Sequence, residues 1–314
     1  MKLKRIMTVL MVVALLISLS SNLYAAEEQF KIGATIWDMS VPFYSNFIKG
    51  LEDGAEQFNF DLLLRDGQGD PSTQVAILQQ FIVEDVDLII IVAGDAEAVL
   101  PGILAANDAN IPVISANNRV AEGADVLTFV GADDYYFGQQ QAKLLIEAIG
   151  ESGNVGYLMG KLGTTAQILR RNGFKDYLKD YPDIKIVSEI SEGWDSAEAL
   201  AASQDILSNY GTGELDAIVC QGPEAVPGAV YAQDSGREEV KWILGDYPSD
   251  VHDAIEDGII YGTVNQDPYP QAMMSMYMAN FYLTDRANHV AANNYFLALP
   301  LVTKENVDDF DPVW

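Results

Sequence analysis

Short runs of aliphatic residues alternate with longer amphipathic stretches along most of this 314-residue chain. The first run, residues 31–37, predicts a strand, and the stretch after it places Phe43, Phe47 and Leu51 on one helical face. The runs are continuously apolar, which is typical of parallel strands with helices on both faces of the sheet. The pattern therefore predicts an α/β protein built from repeated strand–helix–strand units.

The predicted units form two series that meet near residues 131–134. Further strands are expected at 61–65, 88–92, 113–116, 155–159, 184–190, 217–220, 241–245 and 260–264. Further helices are expected at 72–83, 97–107, 134–149, 165–179, 196–210, 225–233 and 250–256. Ser72, after Asp70 and Pro71, is a candidate N-cap for the first of these helices. So many units exceed one open sheet, and we expect two lobes, each a parallel sheet flanked by helices.

Candidate ligand contacts follow from this topology, because ligands of open parallel sheets bind beyond the carboxyl ends of the strands. The residues at those positions combine aromatic rings, carboxamides and carboxylates. Such a mixture suits a polyhydroxylated ligand, since aromatic faces cover the C–H faces of a ring and Asp and Asn bond hydroxyls. Polar loops follow the strands of any α/β protein, so the amides have a simpler interpretation. Trp37 and Trp194, each beside an acid, favour the sugar-like ligand.

The first 26 residues have a different composition and predict a secretory signal peptide. Three cations precede an apolar run at residues 6–17, which is shorter than the roughly 20 residues of a membrane-spanning helix. Cleavage is expected after Ala25, or after Ala26, and a retained anchor is the alternative. We therefore expect an exported protein, which in a cell with two membranes lies in the periplasm.

Charge and composition narrow the function classes. The net charge is −28, which argues against nucleic acid or an anionic membrane surface as a partner. The single cysteine, Cys220, excludes an internal disulfide, and with His252 and His289 it gives no zinc-ligand spacing. We expect neither a metal nor a cofactor. The sequence lacks a Gly-x-Ser-x-Gly elbow and a complete phosphate loop, so catalysis is not expected, although paired acids leave a glycosidase open.

Several short motifs resemble type I periplasmic binding proteins of the ribose-binding group, the secreted relatives of LacI-type repressors. The similarity spans about residues 30–303. The motifs are Pro42-Phe43-Tyr44, Asp53-Gly54-Ala55, Ile111-Pro112-Val113-Ile114, Gly163-Thr164-Thr165-Ala166, Gly173-Phe174, Leu244-Gly245-Asp246 and Asp257-Gly258. The resemblance implies two similar lobes joined by three hinge crossings, with a monosaccharide enclosed between them. It also implies delivery of that ligand to the membrane permease of an ABC importer and, in some members, to a chemoreceptor.

The same resemblance implies lobe boundaries and roles for particular residues. The N-terminal lobe is expected at 27–132 plus 267–295, and the C-terminal lobe at 133–266 plus 296–314. Phe43, Tyr44 and Trp194 match aromatics that line the sugar, and Asp246 and Gln266 match groups that bind hydroxyls. The full candidate set is Trp37, Asp38, Phe43, Tyr44, Asn117, Asn118, Gln167, Trp194, Glu224, Asp246 and Gln266.

Departures from the family pattern bear on the ligand. Asn117 and Asn118 replace the Asp-Arg pair that is typical of ribose binders, and Ile168 falls near the second arginine that those binders use. Gly222 falls where the family usually has Asn, and Trp37 replaces a small polar residue of the ribose binders. With those guanidinium donors absent, ribose and anionic ligands are disfavoured. A neutral sugar, polyol or cyclitol fits best, with an amino sugar or small cation as an alternative.

Other interpretations stay open for single residues and for the function. Phe43 also suits core packing, Asp246 could cap the helix after Pro248, and Trp194 and Gln266 could belong to the hinge. The predicted function is capture of the solute for an ABC importer. The alternative is a sensing protein that binds a furanosyl signal or another small solute for a chemoreceptor or signalling partner. A repressor is excluded by the predicted signal peptide and the negative charge.

Overall fold

A computed structural model of the chain describes residues 29–284 and 293–314. The predicted signal peptide and His289 lie outside the described residues. Within them the chain forms twelve strands and nine α-helices, with short 3₁₀ turns at Leu178–Asp180 and Val307–Asp309. No described helix combines the length and the apolar character that a membrane crossing requires.

The first sheet has six parallel strands in the order β11-β5-β4-β3-β1-β2. The strands are β1 (Lys31–Ile36), β2 (Asp61–Asp66), β3 (Leu88–Val92), β4 (Val113–Ala116), β5 (Thr128–Gly131) and β11 (Asn294–Phe296). Strands β3, β4 and β5 are buried along their whole length, as expected when helices cover both faces.

The second sheet repeats this arrangement in the order β12-β10-β9-β8-β6-β7. The strands are β6 (Ser152–Met159), β7 (Asp183–Ser191), β8 (Ala217–Cys220), β9 (Lys241–Gly245), β10 (Gly262–Val264) and β12 (Leu301–Thr303). Only β12, at one edge, is antiparallel to its neighbour among the described strands of this sheet. Two helix-flanked, mainly parallel sheets are the predicted fold, which is confirmed.

The helices connect the strands and cover the sheets. They are α1 (Phe43–Phe58), α2 (Pro71–Val83), α3 (Leu100–Asp108), α4 (Asp134–Ile149), α5 (Thr165–Tyr177), α6 (Ser196–Asn209), α7 (Val226–Asp234), α8 (Ser249–Glu256) and α9 (Pro268–Leu283). Helix α4 packs on α5 and on the second sheet, whereas α9 packs on α1 and on β4 and β5 of the first sheet. The chain therefore passes from the first sheet to the second after β5, and returns after β10.

Some details differ from the sequence-based expectations. The candidate N-cap Ser72 is wrong: the Asp70 side chain accepts a hydrogen bond from the Ser72 N–H, and Pro71 is the first helical residue. Strands β5, β11 and β12 were not predicted: β5 follows β4 without a helix, which breaks the strand–helix alternation, and β11 and β12 are three-residue edge strands that are only partly buried. Helix α9 was not predicted either, since its apolar residues surround the helix and give no amphipathic period.

Candidate functional site

One cavity lies between the two sheets, at the carboxyl ends of their strands. Asn117 and Asn118 follow β4 of the first sheet, while Trp194, Glu224 and Asp246 follow β7, β8 and β9 of the second. The full lining is Val41, Phe43, Asn117, Asn118, Ala166, Arg170, Trp194, Glu224, Asp246 and Gln266. Seven of the eleven candidate residues therefore line a single space.

The wall of the cavity that belongs to the first sheet is a chain of neutral hydrogen bonds. The Trp37 Nε1–H donates to Tyr44 Oη at 2.8 Å, and this hydroxyl donates to Asn117 Oδ1 at 3.1 Å. The Asn117 Nδ2 donates to Gln271 Oε1 at 3.1 Å, and Gln271 Nε2 donates to the Asp267 carbonyl. All these side-chain positions are buried, so the series fixes which end of the Asn117 amide faces which neighbour.

Phe43 and Tyr44 have different positions in this wall. Tyr44 touches Trp37 edge-on at 6.3 Å between ring centroids and is 4 % exposed, so it supports the wall from behind. Phe43 borders the cavity and also packs in the core cluster of the first sheet. Phe43 therefore packs in the core and lines the cavity at the same time, and its contact with a ligand stays a prediction.

The wall that belongs to the second sheet is charged and centres on Arg170. Its Nε donates to Asp134 Oδ1 at 2.9 Å, its Nη1 donates to the Gln221 carbonyl at 2.8 Å, and the same nitrogen lies 4.0 Å from Asp246 Oδ1. The guanidinium lies 3.8 Å from the centre of the Phe137 ring. Arg170 is only 3 % exposed, so its charge depends on these partners.

The expectation that no arginine reaches the cleft is therefore wrong. The residue at the position carried over from the family, Ile168, is exposed, whereas Arg170, two residues later, faces inward. A signal for it exists in the sequence: Ala166, Arg170 and Phe174 recur at a spacing of four on the buried face of α5. An arginine on an apolar helix face needs a buried acid as partner, and Asp134 and Asp246 supply two.

Burial and charge set the protonation of this cluster. Burial raises the pKa of Asp246 to about 7, although Arg170 and the hydrogen bond from Gln266 oppose the shift. Burial likewise raises the pKa of Asp134, against the attraction of Arg170. Burial alone would lower the pKa of Arg170, but the two aspartates raise it overall. The guanidinium therefore stays charged, while Asp246 titrates near neutrality.

Asn117 and Asp246 occupy equivalent backbone positions in the two sheets. Each follows the fourth strand of its sheet in chain order, and each has a left-handed backbone, with φ of 56° and 61°. The Asn117 N–H donates to the Val130 carbonyl of β5 and the Asp246 N–H to the Val264 carbonyl of β10, both at 2.8 Å. The same turn thus presents an amide on one side of the cavity and a carboxylate on the other.

Trp194 is held by its surroundings in a third left-handed turn, with φ of 67°. Glu192 Oε2 accepts the backbone N–H groups of Trp194 at 2.6 Å and Asp195 at 3.1 Å. A Cβ on Gly160 would lie 2.0 Å from the indole, and one on Gly222 would lie 2.1 Å from Glu224 Oε2. The absence of side chains at Gly160 and Gly222 therefore makes room for the indole and the carboxylate.

Further contacts join the two halves around the mouth of the cavity. Lys161 Nζ donates to the Gly69 carbonyl at 3.2 Å and lies 4.2 Å from the Trp37 ring centre. The Arg119 N–H donates to Thr165 Oγ1 at 2.9 Å. The Trp314 ring meets Phe43 edge-on at 5.2 Å. The lobes are thus in contact on several sides of the cavity.

The remaining candidates do not border the cavity itself. Trp37 and Asp38 border the outer opening with Lys161, and Asp38 accepts from Ser40. The Gln167 side chain donates to Met159 Sδ, and the Gln167 backbone carbonyl accepts from Gln221 Nε2. Asp246 caps no helix: α8 begins after Pro248 without a side-chain cap, and Asp246 Oδ1 accepts from Gln266 Nε2 at 3.0 Å.

Two groups of metal-ligand atoms come together in the described part of the chain. One consists of Glu192, Cys220 and Glu224 behind Trp194, and the other of His252, Asp253 and Glu256 at the surface. The first group could not be read from sequence spacing, because its members follow or end strands β7 and β8, which the sheet brings together.

Comparison with known proteins identifies relatives of this architecture. The family model described as a periplasmic binding protein domain matches residues 32–287. The xylitol-binding protein of Mycolicibacterium smegmatis is 28 % identical over 285 residues, which cover 90 % of this chain and 80 % of the relative. The ribose import binding protein RbsB of Escherichia coli is 26 % identical, with 85 % and 88 % covered. An ABC transporter solute-binding protein of Bacillus halodurans with bound myo-inositol has a TM-score of 0.82 at 26 % identity, with 91 % and 98 % covered.

Proposed function

Because the chain belongs to the periplasmic binding protein family, we propose that it captures a neutral sugar, polyol or cyclitol between its two lobes and delivers it to an ABC importer. The observation that carries this proposal is the convergence of both sheets on one cavity. Asn117 and Asn118 reach it from the first sheet, and Trp194, Asp246 and Gln266 reach it from the second. A ligand there bonds both sheets at once and so favours their closed arrangement.

The chemistry of the lining supports an uncharged, polyhydroxylated ligand. Trp194 and Phe43 offer aromatic faces, while Asp246, Glu224 and the two asparagines offer hydrogen-bonding groups. The arginine of that lining pairs with Asp134 and lies 4.0 Å from Asp246, so two carboxylates already balance its charge and an anionic ligand is disfavoured. The named ligands of the relatives, xylitol, ribose and myo-inositol, are all polyhydroxylated and uncharged.

We propose the lobes at 27–132 plus 267–296 and 133–266 plus 297–314, which moves the last bound that the resemblance implied by one residue, because Phe296 belongs to β11 of the first sheet. The passages of the chain between the sheets after Gly131 and after Val264 support the first two hinge crossings. Strand β11 of the first sheet ends at Phe296, so the third crossing is proposed between this residue and β12. Opening about these crossings would separate Lys161 from Gly69 and Arg119 from Thr165.

The proposal also covers the export of the protein, its membrane partner and the absence of catalysis. The first 26 residues are proposed to be a cleaved signal peptide that directs the protein to the periplasm, where the permease of the importer is its partner. Transport is preferred to sensing because a relative is named as an import binding protein. A chemoreceptor remains the partner of the alternative function. The family consists of solute-binding proteins, and we propose that this member binds its solute without transforming it.

A thermal-shift screen of the processed protein against xylitol, D-ribose, D-allose, myo-inositol and glycerol tests the function. A solute present at 100 times its dissociation constant should add about 2.7 kcal/mol to the free energy of unfolding. Small-angle scattering should show a smaller radius of gyration with that solute than without it. A screen with no stabilising solute, or an unchanged radius at saturation, would contradict capture by closure.

Trp194→Ala locates the binding site within the same screen. Loss of the aromatic contact, about 0.5–1.5 kcal/mol beyond the buried area, should weaken the affinity about tenfold or more. The matched control is Tyr231→Ala, which removes an exposed aromatic ring of α7 and should bind as the parent does. Equal affinities of the parent and Trp194→Ala would show that the solute binds elsewhere.

A further inference from the structure

A buried carboxylate and a partly buried one, both behind Trp194, have no cation of their own. Glu192 is 2 % exposed; its Oε2 accepts two backbone N–H groups, but its Oε1 has no hydrogen-bond partner. Glu224 lines the cavity, and its enclosed Oε2 also has no partner. Carboxylate oxygens of the two residues lie within 4.8 Å of each other and of the Cys220 Sγ.

The other charged groups around the pair do not neutralise it. No ion pair of the described residues includes Glu192 or Glu224. Arg170 attracts Glu224 from α5, but its hydrogen bonds go to Asp134 and the Gln221 carbonyl. Asp246 beyond β9 repels Glu224, and Asp195 repels Glu192. Cys220 is a neutral thiol, because burial and the two glutamates raise its pKa.

We propose that Glu192 and Glu224 share one proton at neutral pH, so that Glu224 faces the ligand as part of a carboxyl–carboxylate pair. Two carboxylates this close do not both ionise readily, since each charge opposes the other and Glu192 is shielded from water. One proton, taken from solvent, leaves the pair with a single negative charge. Burial, and then the neighbouring acid, raises the pKa of Glu224, and burial raises that of Glu192.

The shared proton links ligand affinity to pH, and this part of the inference rests on the proposed function. Glu192 and Glu224 follow β7 and β8 of the same sheet, with only β6 between these strands, so the pair persists when the cleft is open. Opening, however, hydrates Glu224 and favours its ionised form. The closed, liganded protein therefore holds the proton more tightly than the open one. Affinity for a neutral solute should be highest at low pH and should fall as pH rises between the open-form and closed-form pKa values of the pair.

The first experiment needs no solute. Carboxyl carbons of ¹³C-labelled glutamate are followed by NMR from pH 4 to pH 9 in the parent, Glu192→Gln and Glu224→Gln. We expect one signal of the parent, absent from Glu224→Gln, to titrate well above the usual glutamate value of about 4.3. In Glu192→Gln the Glu224 signal should titrate at lower pH, because the like charge is gone and the amide can donate. The matched control is Glu198→Gln, at an exposed position of α6, which should leave both signals unchanged.

Three results would overturn the shared proton. Both carboxyls of the parent could titrate near the usual value, or Glu224 could titrate identically with and without Glu192. The third is metal binding: Zn²⁺ would raise the melting temperature of the chelator-treated parent but not of Cys220→Ser. That result would assign the three ligand atoms to a cation instead of a proton.

Calorimetric titration with xylitol from pH 5 to pH 9 tests the linkage. The affinity of the parent should fall up to tenfold per pH unit within the window, with uptake of up to one proton per xylitol bound. Glu224→Gln should flatten this dependence, and Glu198→Gln should retain it. A pH-independent affinity in the parent overturns the linkage. Absence of xylitol binding at every pH counts against the proposed ligand class and leaves the NMR result to decide the shared proton.

Discussion

The two walls of the cavity use the same backbone turn for opposite kinds of chemistry. On the first sheet Asn117 stands in a left-handed turn after β4, inside a series of neutral hydrogen bonds that runs from Trp37 to Gln271. On the second sheet Asp246 stands in the equivalent turn after β9, between Arg170 and Gln266. The neutral wall has its donors and acceptors paired, whereas the charged wall keeps unpartnered acceptors on Gln266 and Glu224.

This difference separates preorganisation from recognition. A neutral, paired wall costs little to bury and holds its shape with or without a ligand. A charged wall with unpartnered acceptors is costly until donors reach it, and the hydroxyl groups of a polyol are such donors. We therefore expect the second sheet to contribute more of the binding free energy and more of the pH dependence. The predictions that follow test this difference from its largest effect to its smallest.

Removal of the central cation should have the largest effect. Arg170→Leu leaves Asp134 and Asp246 buried without their counter-charge and should lower the free energy of unfolding by about 3–5 kcal/mol at pH 7. Urea unfolding measures this loss. The matched control is Arg171→Leu, the next residue, whose partly exposed pair with Glu189 should cost less than about 1 kcal/mol. Equal losses in the two variants would mean that the buried cluster is not the main support of the charged wall.

The pH dependence of stability should change with Asp246→Asn. Since burial raises the folded-state pKa of Asp246 to about 7, the native state binds this proton more tightly than the unfolded chain. The stabilisation is complete below the unfolded-state pKa of about 3.9 and is lost as pH rises through the folded-state value. The stability of the parent relative to Asp246→Asn should thus fall by about 1.4 kcal/mol per pH unit between pH 5 and pH 7. Parallel stability curves for the two proteins, from urea unfolding across that range, would refute the raised pKa.

Truncation at the two equivalent turns compares the walls directly. Asp246→Ala removes a charge-assisted hydrogen bond worth on the order of 1.5–3 kcal/mol, so xylitol affinity should fall about tenfold to a hundredfold. Asn117→Ala removes a neutral one of about 0.5–1.5 kcal/mol and should cost tenfold or less. Calorimetric titration of both variants gives the ratio. If Asn117→Ala weakens binding more than Asp246→Ala does, the first sheet carries recognition and the comparison is reversed.

The smallest expected effect lies at the start of the neutral series. Trp37→Phe removes the indole donor to Tyr44 Oη and should lower the free energy of unfolding by about 1 kcal/mol. The Tyr44 bond to Asn117 should survive, so xylitol affinity should change little. Trp314→Phe is the control, because the Trp314 ring contacts Phe43 edge-on and a phenyl ring can replace it. A loss of several kcal/mol in Trp37→Phe would show that the series acts as one cooperative unit.

The fold could be predicted from the sequence because continuous apolar strands and amphipathic helices leave clear periodic patterns. Strand β5 could not be predicted because it follows β4 without the helix that the alternation requires, and β11 and β12 because they are short edge strands without an apolar run. Helix α9 gave no amphipathic period because it is apolar on all sides. In the site, residues that directly follow strands, such as Asn117 and Asp246, could be found by topology alone. Residues whose roles depend on contacts with distant parts of the chain could not be found in this way.

Arg170 and Glu192 are the two residues of that second kind. Arg170 projects from a helix face, and its role depends on Asp134 and Asp246, which are distant in sequence. Glu192 does follow a strand, but it faces the backbone of Trp194 and not the cavity, and its proximity to Glu224 arises from the strand order of the second sheet. The spacing of four on α5 marks Arg170 as a buried position, but a pattern along the chain gives neither its acidic partners nor the strand order that brings Glu192 near Glu224. The candidate site itself stays a prediction until a bound solute tests it.

The left-handed turns also restrict how this cavity can change its ligand during evolution. Asn, Asp and Gly tolerate positive φ, whereas β-branched residues do not, so positions 117 and 246 have a small set of acceptable replacements. Exchange between amide and carboxylate stays within that set, and a single nucleotide change converts an Asn codon to an Asp codon. Trp194 has no equivalent replacement. Any other bulky residue there has the same backbone cost of about 1–3 kcal/mol and lacks the contacts of the indole. We therefore expect natural variants of this protein to alter ligand choice at the two turns and to retain the aromatic wall.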